Sequence, residues 1–298
     1  MTGNTKGMLV GVMAFVLWGI LPIYWKHLDF LHPVSIVAQR TCWTCVMLWP
    51  LLWWRKVGIR TDLKTVGWHL VSGCLIGGNW LLYVWATLNE RMIEGALGYY
   101  INPFLNMLFG AIWFGERQNR LQMTAVVVAF CGVLLQIPGV GHFPWLAMTL
   151  ALSFSLYGVV RKRSPLGALD GLTVESSLLV PVALGWLVWH SASLPAAFGG
   201  NWENAFWIAG TGVVTAIPLL CFGFASRNIR LSTLGMLQFI GPTLQFFIGW
   251  KMYGEPMTTV RLLSFSLIWL AIALYAWDAL RRRKNEGNAV LAERAAGG

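Results

Sequence analysis

Ten runs of apolar residues divide the chain, near residues 7 to 26, 33 to 54, 67 to 88, 94 to 114, 121 to 137, 143 to 160, 172 to 190, 204 to 225, 231 to 251 and 259 to 279. A helix that crosses a bilayer needs about 20 mostly apolar residues, and inside lipid its backbone polar groups are satisfied within the helix itself. The pattern therefore predicts an all-α, polytopic membrane protein with ten transmembrane helices. The fifth and sixth runs are short, so counts of nine or eleven stay open. Polar residues inside the runs fall at helical spacing. Tyr99, Asn102 and Asn106 stand at i, i+3 and i+7, and Asn79, Tyr83 and Thr87 at i, i+4 and i+8, so each set forms one stripe on a helix.

Composition agrees with a membrane protein. Hydrophobic residues make up 57% of the chain and charged residues 11%, against about 25% charged in an ordinary soluble domain. A net charge of +10 could serve phosphate binding, but the basic residues sit in short clusters between apolar runs, which is an orientation signal rather than a nucleic-acid footprint. With the N-terminus inside, every Lys and Arg lies on the inner side except Lys26, Arg91, Lys251, Arg261 and the in-span Arg40. Both termini are thus expected in the cytoplasm, in a multi-pass protein of a bacterial inner membrane. The Arg281 to Lys284 run would stop translocation and contact membrane lipid headgroups. The first run lacks a basic leader and a small-residue cleavage site, so it reads as a retained span. Cys42, Cys45, Cys74, Cys131 and Cys221 all fall inside predicted spans, which argues against a disulfide framework.

Sliding the sequence along itself by 139 residues exposes an internal repeat. Gly98 to Glu116 then meets Leu237 to Glu255, with Pro103 on Pro242, Gly110 on Gly249 and Gly115-Glu116 on Gly254-Glu255. The same register places Gly73 on Gly212, Ala86 on Ala225 and Trp18-Gly19 on Tyr157-Gly158. The chain accordingly divides into a five-helix repeat over 7–137, a second over 143–279 and a cytoplasmic tail over 280–298. An odd number of spans per repeat forces the second half to enter the membrane from the opposite side. This 5+5 inverted repeat is a frequent transporter architecture, because two similar halves can exchange conformations. Duplication that merely stabilises a bundle is the alternative.

The Pro and Gly-Glu pattern at the fourth and ninth spans resembles the EamA signature of the drug/metabolite transporter superfamily. Within it, GGNWLLYVWA (77 to 86), LGYYINP (97 to 103), SLYGVVRK (155 to 162), IPLLCF (217 to 222) and LSTLGMLQFIGPT (231 to 243) are similar to the RarD, or chloramphenicol-sensitive protein, branch. The resemblance implies a ten-helix permease acting as an exporter, with a central cavity between spans 1, 3, 4, 6, 8 and 9. It leaves the substrate open. Gln39-Arg40 stands where that branch would carry a His-Arg pair, which weakens a proton relay at that point.

Intramembrane polar residues mark the candidate solute site, since each needs a partner or a cavity. The stripe Tyr99, Asn102 and Asn106 is opposed in the repeat by Gln238 and Gln245, and Asn79, Tyr83, Thr211, Thr215, Trp18 and Tyr157 complete a cavity of aromatic walls and sparse hydrogen-bonding groups. Interhelical glue is the competing role for each Asn, Gln and Tyr. Arg40 must be paired or reach water: it snorkels, caps carbonyls or meets a solute anion. Glu175 is either a coupling proton site or an interfacial carboxylate, and its depth differs from that of Arg40. Pro103 and Pro242 are candidate gating hinges or static bends. Glu116 and Glu255 read as caps or loop anchors.

No catalytic motif, metal constellation or phosphate-binding loop stands in the sequence, so no cofactor is expected and active transport would draw on a gradient, with protons as the candidate coupling ion. The expected function is a secondary transporter exporting small metabolites or drugs, amphenicol-like or amino-acid-like, by alternating access. An uptake permease of the same fold, or a non-transporting scaffold or intramembrane enzyme, is the alternative. Oligomeric state is open.

Overall fold

A computed structural model describes residues 3–296 apart from 57, 60, 90–91, 138–142, 191–200 and 255–257. Helices α1 (Gly3–Trp25), α2 (Pro33–Trp54), α3 (Leu63–Leu88), α4 (Met92–Phe114) and α5 (Arg120–Leu134) form the first half. The second half comprises α6 (Trp145–Arg163), α7 (Ala168–Trp189), α8 (Trp202–Asn228), α9 (Leu231–Gln238), α10 (Ile240–Met252) and α11 (Thr259–Ala296). Helices α9 and α10 together make one span, Leu231–Met252, so the fold is an all-α polytopic membrane protein of ten transmembrane segments. Five spans reach membrane-crossing length and hydropathy by composition alone; α2 and α3 carry Arg40, His69 and Asn79 in their interiors. The outer surface is apolar, with Trp53 84%, Trp54 81% and Val182 71% exposed, a surface that lipid covers and water would not tolerate.

Local signals set the helix starts. Pro33 opens α2 behind His32, whose ring accepts from the Val34 amide at 3.3 Å. Asn119 and Gln122 form a reciprocal capping box at α5. The sixth helix runs to Arg163, beyond the apolar run that ends at 160, and so carries Arg161 into the bundle.

The packing follows the repeat. Helix α1 packs on α8 as α6 packs on α3; α2 on α8 as α7 on α3; α4 on α6 as α9 and α10 on α1. Three pairs, α2 with α7, α4 with α9 and α5 with α11, join a segment to its own counterpart. At the α4–α9 crossing, a Cβ on Gly235 would stand 2.8 Å from the Pro103 carbonyl oxygen, so only glycine allows this approach.

The two prolines differ. Helix α4 continues through Pro103, whereas the ninth span breaks at Phe239, immediately before Ile240, Gly241 and Pro242 open α10. The repeat register sets Gly241 against Asn102. A glycine before the ring leaves the backbone free to break, while Asn102 is held by its side chain on Ser155 at 2.8 Å.

Candidate functional site

A cavity of about 370 Å³ lies between α1, α2, α3, α4, α6 and the ninth span. Its walls include Trp25 at the end of α1, Pro33 at the start of α2, and Val84 near the end of α3. It therefore occupies the half of the bundle away from the basic clusters. Helix α2 lines it, and none of the lining residues comes from α8, which corrects the helix set implied by the resemblance. Helix α8 instead stands behind Arg40, to which it presents Thr215.

Trp18, Tyr83, Tyr99, Gln238, Gln245, Arg40 and Pro242 all border this space. Tyr83 and Tyr99 meet edge to face at 5.4 Å, and Gln245 Nε2 donates to the Trp18 carbonyl at 3.3 Å. The other members of the expected set sit between helices. Asn79 donates to Leu150 O and Ser153 Oγ, both at 2.9 Å, and accepts from the Tyr99 hydroxyl at 3.3 Å. Asn102 accepts from Ser155 Oγ on α6. Asn106 donates to Gln238 Oε1 at 3.2 Å across the α4–α9 crossing. These three are fully or almost fully buried. One face of α4 thus splits with depth: Tyr99 reaches the open space, while Asn102 and Asn106 lie where α4 is clasped by α6 and α9. The side chain of Thr87 lies outside the described residues, and Thr211 bonds its own helix at Ile208 O.

Arg40 is held as a stacked cation. Its guanidinium lies 3.8 Å from the Trp80 ring centroid and 5.4 Å from that of Trp25, and Nε donates to Thr215 Oγ1 at 3.0 Å. Cation–π contacts contribute about 0.5–2 kcal/mol each, which offsets part of the cost of a charge inside a span. Among the described residues no carboxylate pairs with it; Glu175 is engaged elsewhere.

An aromatic floor closes the cavity toward the basic end. Phe154 packs at 5.8 Å from Trp18 and 5.3 Å from Phe222, and Tyr157 stacks on Phe222 at 5.7 Å. The repeat-related Trp18 and Tyr157 belong to this one cluster but face opposite ways. Trp18 borders the cavity, and the Tyr157 hydroxyl donates to Glu175 Oε2 at 3.5 Å. Beyond the floor, Glu175 Oε1 receives Arg161 Nη1 at 3.1 Å, His69 Nδ1 at 3.0 Å and Ser72 Oγ at 2.6 Å. His69 Nε2 continues to Ser164 Oγ at 2.7 Å, and Arg161 Nη2 donates to Ala168 O at 3.0 Å.

Arg161 and His69 were not legible as site residues. Arg161 heads an Arg-Lys-Arg run that looks like a loop cluster, and His69 looks like a span-end histidine. The available signal was spacing: Phe154, Tyr157 and Arg161 stand at i, i+3 and i+7, one buried face of α6.

The loops of the basic end are laced to the same core. Glu116 accepts from the backbone amides of Leu231 and Ser232 at 2.7 and 2.9 Å, capping α9 from the end of α4. Gly115 adopts a left-handed φ of 63°, and a Cβ on Gly110 would stand 2.6 Å from Glu116 Oε2, so the two glycines let the carboxylate fold back. Gly254 repeats the left-handed turn at φ 65°, while Glu255 lies outside the described residues. Lys162 donates to Ser226 O and Ile229 O, Arg227 to Ser164 O and Leu166 O, and Arg230 to Arg117 O. Cations at helix C-termini satisfy terminal carbonyls and complement the helix dipole.

Comparison with known proteins agrees with this architecture. Residues 5–137 match the model of the EamA-like transporter family. An uncharacterized transporter of Pseudomonas aeruginosa is 40% identical over 95% of this chain and 98% of its own length. Protein RarD of Escherichia coli (strain K12) is 40% identical over 92% of this chain and 95% of its own. A solved crystal structure superposes with a TM-score of 0.68 at 18% identity, covering 90% of this chain and 97% of the other, and speaks to the fold alone. Two half-bundles around one cavity, together with relatives at this identity over nearly their full lengths, place the chain in the RarD branch of the EamA-like transporter family.

Proposed function

We propose that this membrane transporter is a secondary exporter of small metabolites or drugs, moving them out of the cytoplasm across a bacterial inner membrane by alternating access between two inverted halves, 7–137 and 143–279. The observation that carries the reading is the cavity of about 370 Å³ that ends on the aromatic floor, with the opposite end sealed by the buried Glu175 cluster. Small-molecule sites run about 300–1,000 Å³, with apolar walls and a few convergent polar groups. The positive-inside distribution supports placing both termini in the cytoplasm, which makes the cavity outward-facing.

The repeat supplies the second state. Exchange of the halves would bring Tyr157 to the cavity wall and seat Trp18 in the closed end, since the two occupy equivalent positions on opposite sides of the floor. Proton coupling would act at the Glu175–His69–Arg161 cluster, which any inward opening must disrupt. In this reading Trp18, Tyr83, Tyr99, Gln238 and Gln245 contact the solute, Asn79, Asn102 and Asn106 brace the helices that carry them, and the break before Pro242 is the hinge.

The test is flux into and out of proteoliposomes under an imposed pH gradient, with a panel of amino acids, nucleosides, amphenicol-like drugs and aromatic carboxylic acids with their amides. The reading expects saturable flux of at least one class, faster in the export direction. Absence of saturable flux across the panel would overturn it.

A further inference from the structure

Among the described residues that line the cavity, Arg40 is the one with a charged side chain. Its guanidinium carbon lies over the Trp80 ring and within cation–π distance of the Trp25 ring, and its Nε is committed to the neutral oxygen of Thr215. The edge of the guanidinium is different: its terminal nitrogens make no hydrogen bond to a described residue, and no described carboxylate lies at ion-pair distance. A guanidinium held against these rings and tied at Nε presents a two-pronged donor, the geometry that receives a carboxylate through two parallel bonds.

The remaining wall sets the rest of the ligand. Phe15, Trp18, Tyr83 and Phe154 give aromatic contact, while Gln238 and Gln245 offer neutral hydrogen bonds. No acidic side chain is among the lining residues to receive an ammonium, and a doubly charged phosphate would leave one negative charge uncompensated in an apolar space. We infer that the cavity takes an organic monoanion, a carboxylate on an apolar or aromatic body, with the carboxylate on the Arg40 fork. This identifies the solute class for the transport reading and rests on it.

The experiment measures binding to the purified full chain in nanodiscs of phosphatidylcholine, which carry no anionic lipid to compete. The probes are 3-phenylpropionate, 3-phenylpropionamide and 3-phenylpropylamine, which share one body and carry negative, zero and positive charge. The expected order is acid, amide, amine, with the acid at least about tenfold tighter than the amide, a difference of about 1.4 kcal/mol. Arg40→Gln should abolish the preference, and Arg40→Lys, which keeps the charge and loses the fork, should retain part of it. The wild-type comparison decides even if a variant does not fold. Equal binding of the three probes, no binding of the acid at about millimolar concentration, or an undiminished acid preference in folded Arg40→Gln overturns the inference. Saturable flux of panel solutes without acid preference would reject the anion site and leave transport standing. Acid preference in binding with no flux of any solute would do the reverse.

Discussion

Arg161 and Glu175 meet at 3.1 Å inside the bundle, with side-chain exposures of 1% and 2%. Removing one member of such a pair strands the other as a buried charge, at a cost of about 3–5 kcal/mol, whereas replacing both by apolar residues is often close to neutral. Glu175→Ala should therefore lower the thermal unfolding midpoint sharply, and Glu175→Leu with Arg161→Met should recover most of the loss. A double variant that melts as low as the single one would show that stranded charge is not the cause.

Coupling at this cluster has its own signature. Glu175 is faced by His69 and Ser72 from α3 and by Arg161 and Tyr157 from α6, so a proton arriving there must be shared among these groups. Proton coupling predicts that Glu175→Gln or His69→Gln flattens the pH profile of flux over about pH 5–8. A folded Glu175→Gln protein with the wild-type profile would remove protons from the scheme.

The polar residues of α4 should separate into two classes. Asn102→Ala removes the side-chain acceptor of Ser155 Oγ and leaves it the longer bond to the Asn102 carbonyl at 3.3 Å, which should cost about 0.6–2 kcal/mol of stability. Tyr99→Phe and Gln245→Ala, on the cavity wall, should shift half-saturation several-fold with folded yield unchanged. Equal effects of both sets on yield would mean that the wall residues are structural too.

Glu116 closes the start of α9 through two backbone amides and the Ser232 hydroxyl. Its replacement by alanine leaves those amides uncapped and removes a charge favoured at a helix N-terminus, a loss of about 1–2 kcal/mol. Hydrogen exchange at Leu231 and Ser232 should accelerate in Glu116→Ala; protected amides there would argue that the cap is dispensable.

Close packing gives a paired contrast. Gly235→Leu would drive atoms into the Pro103 carbonyl and should destabilise by about 1–3 kcal/mol or more. Gly78 has open space where a Cβ would stand, so Gly78→Ala should be neutral or gain up to about 1 kcal/mol from helix propensity. Thermal melts of both variants in one detergent measure the difference.

Apolar run lengths and the constant repeat register made the ten spans readable, because membrane-spanning helices must satisfy their backbones alone and their boundaries follow hydropathy. The role of Glu116 as a cap was also legible, since a glutamate after a helix-ending glycine has few other uses. The inside of the bundle was less readable. Helical spacing placed Tyr99, Asn102 and Asn106 on one face, but it could not say that the face passes from an open space at Tyr99 to a helix crossing at Asn106. Charge counting assigned Arg161 to a loop for a similar reason: one residue of a basic triplet turns inward only because α6 runs one turn past the apolar stretch and meets Glu175, a contact between elements.

The Arg161–Glu175 pair has no likeness at the other end of the molecule. In the repeat register its members correspond to Pro22 and Ile36, two apolar residues on the rim of the open cavity. Under the proposed cycle, one doorway carries an ionic bolt and the other carries only greasy jambs. An empty carrier then rests with the unbolted side ajar. Returning to load therefore means drawing the bolt on every turnover, and whatever ion or solute can loosen Glu175 sets the pace of the machine.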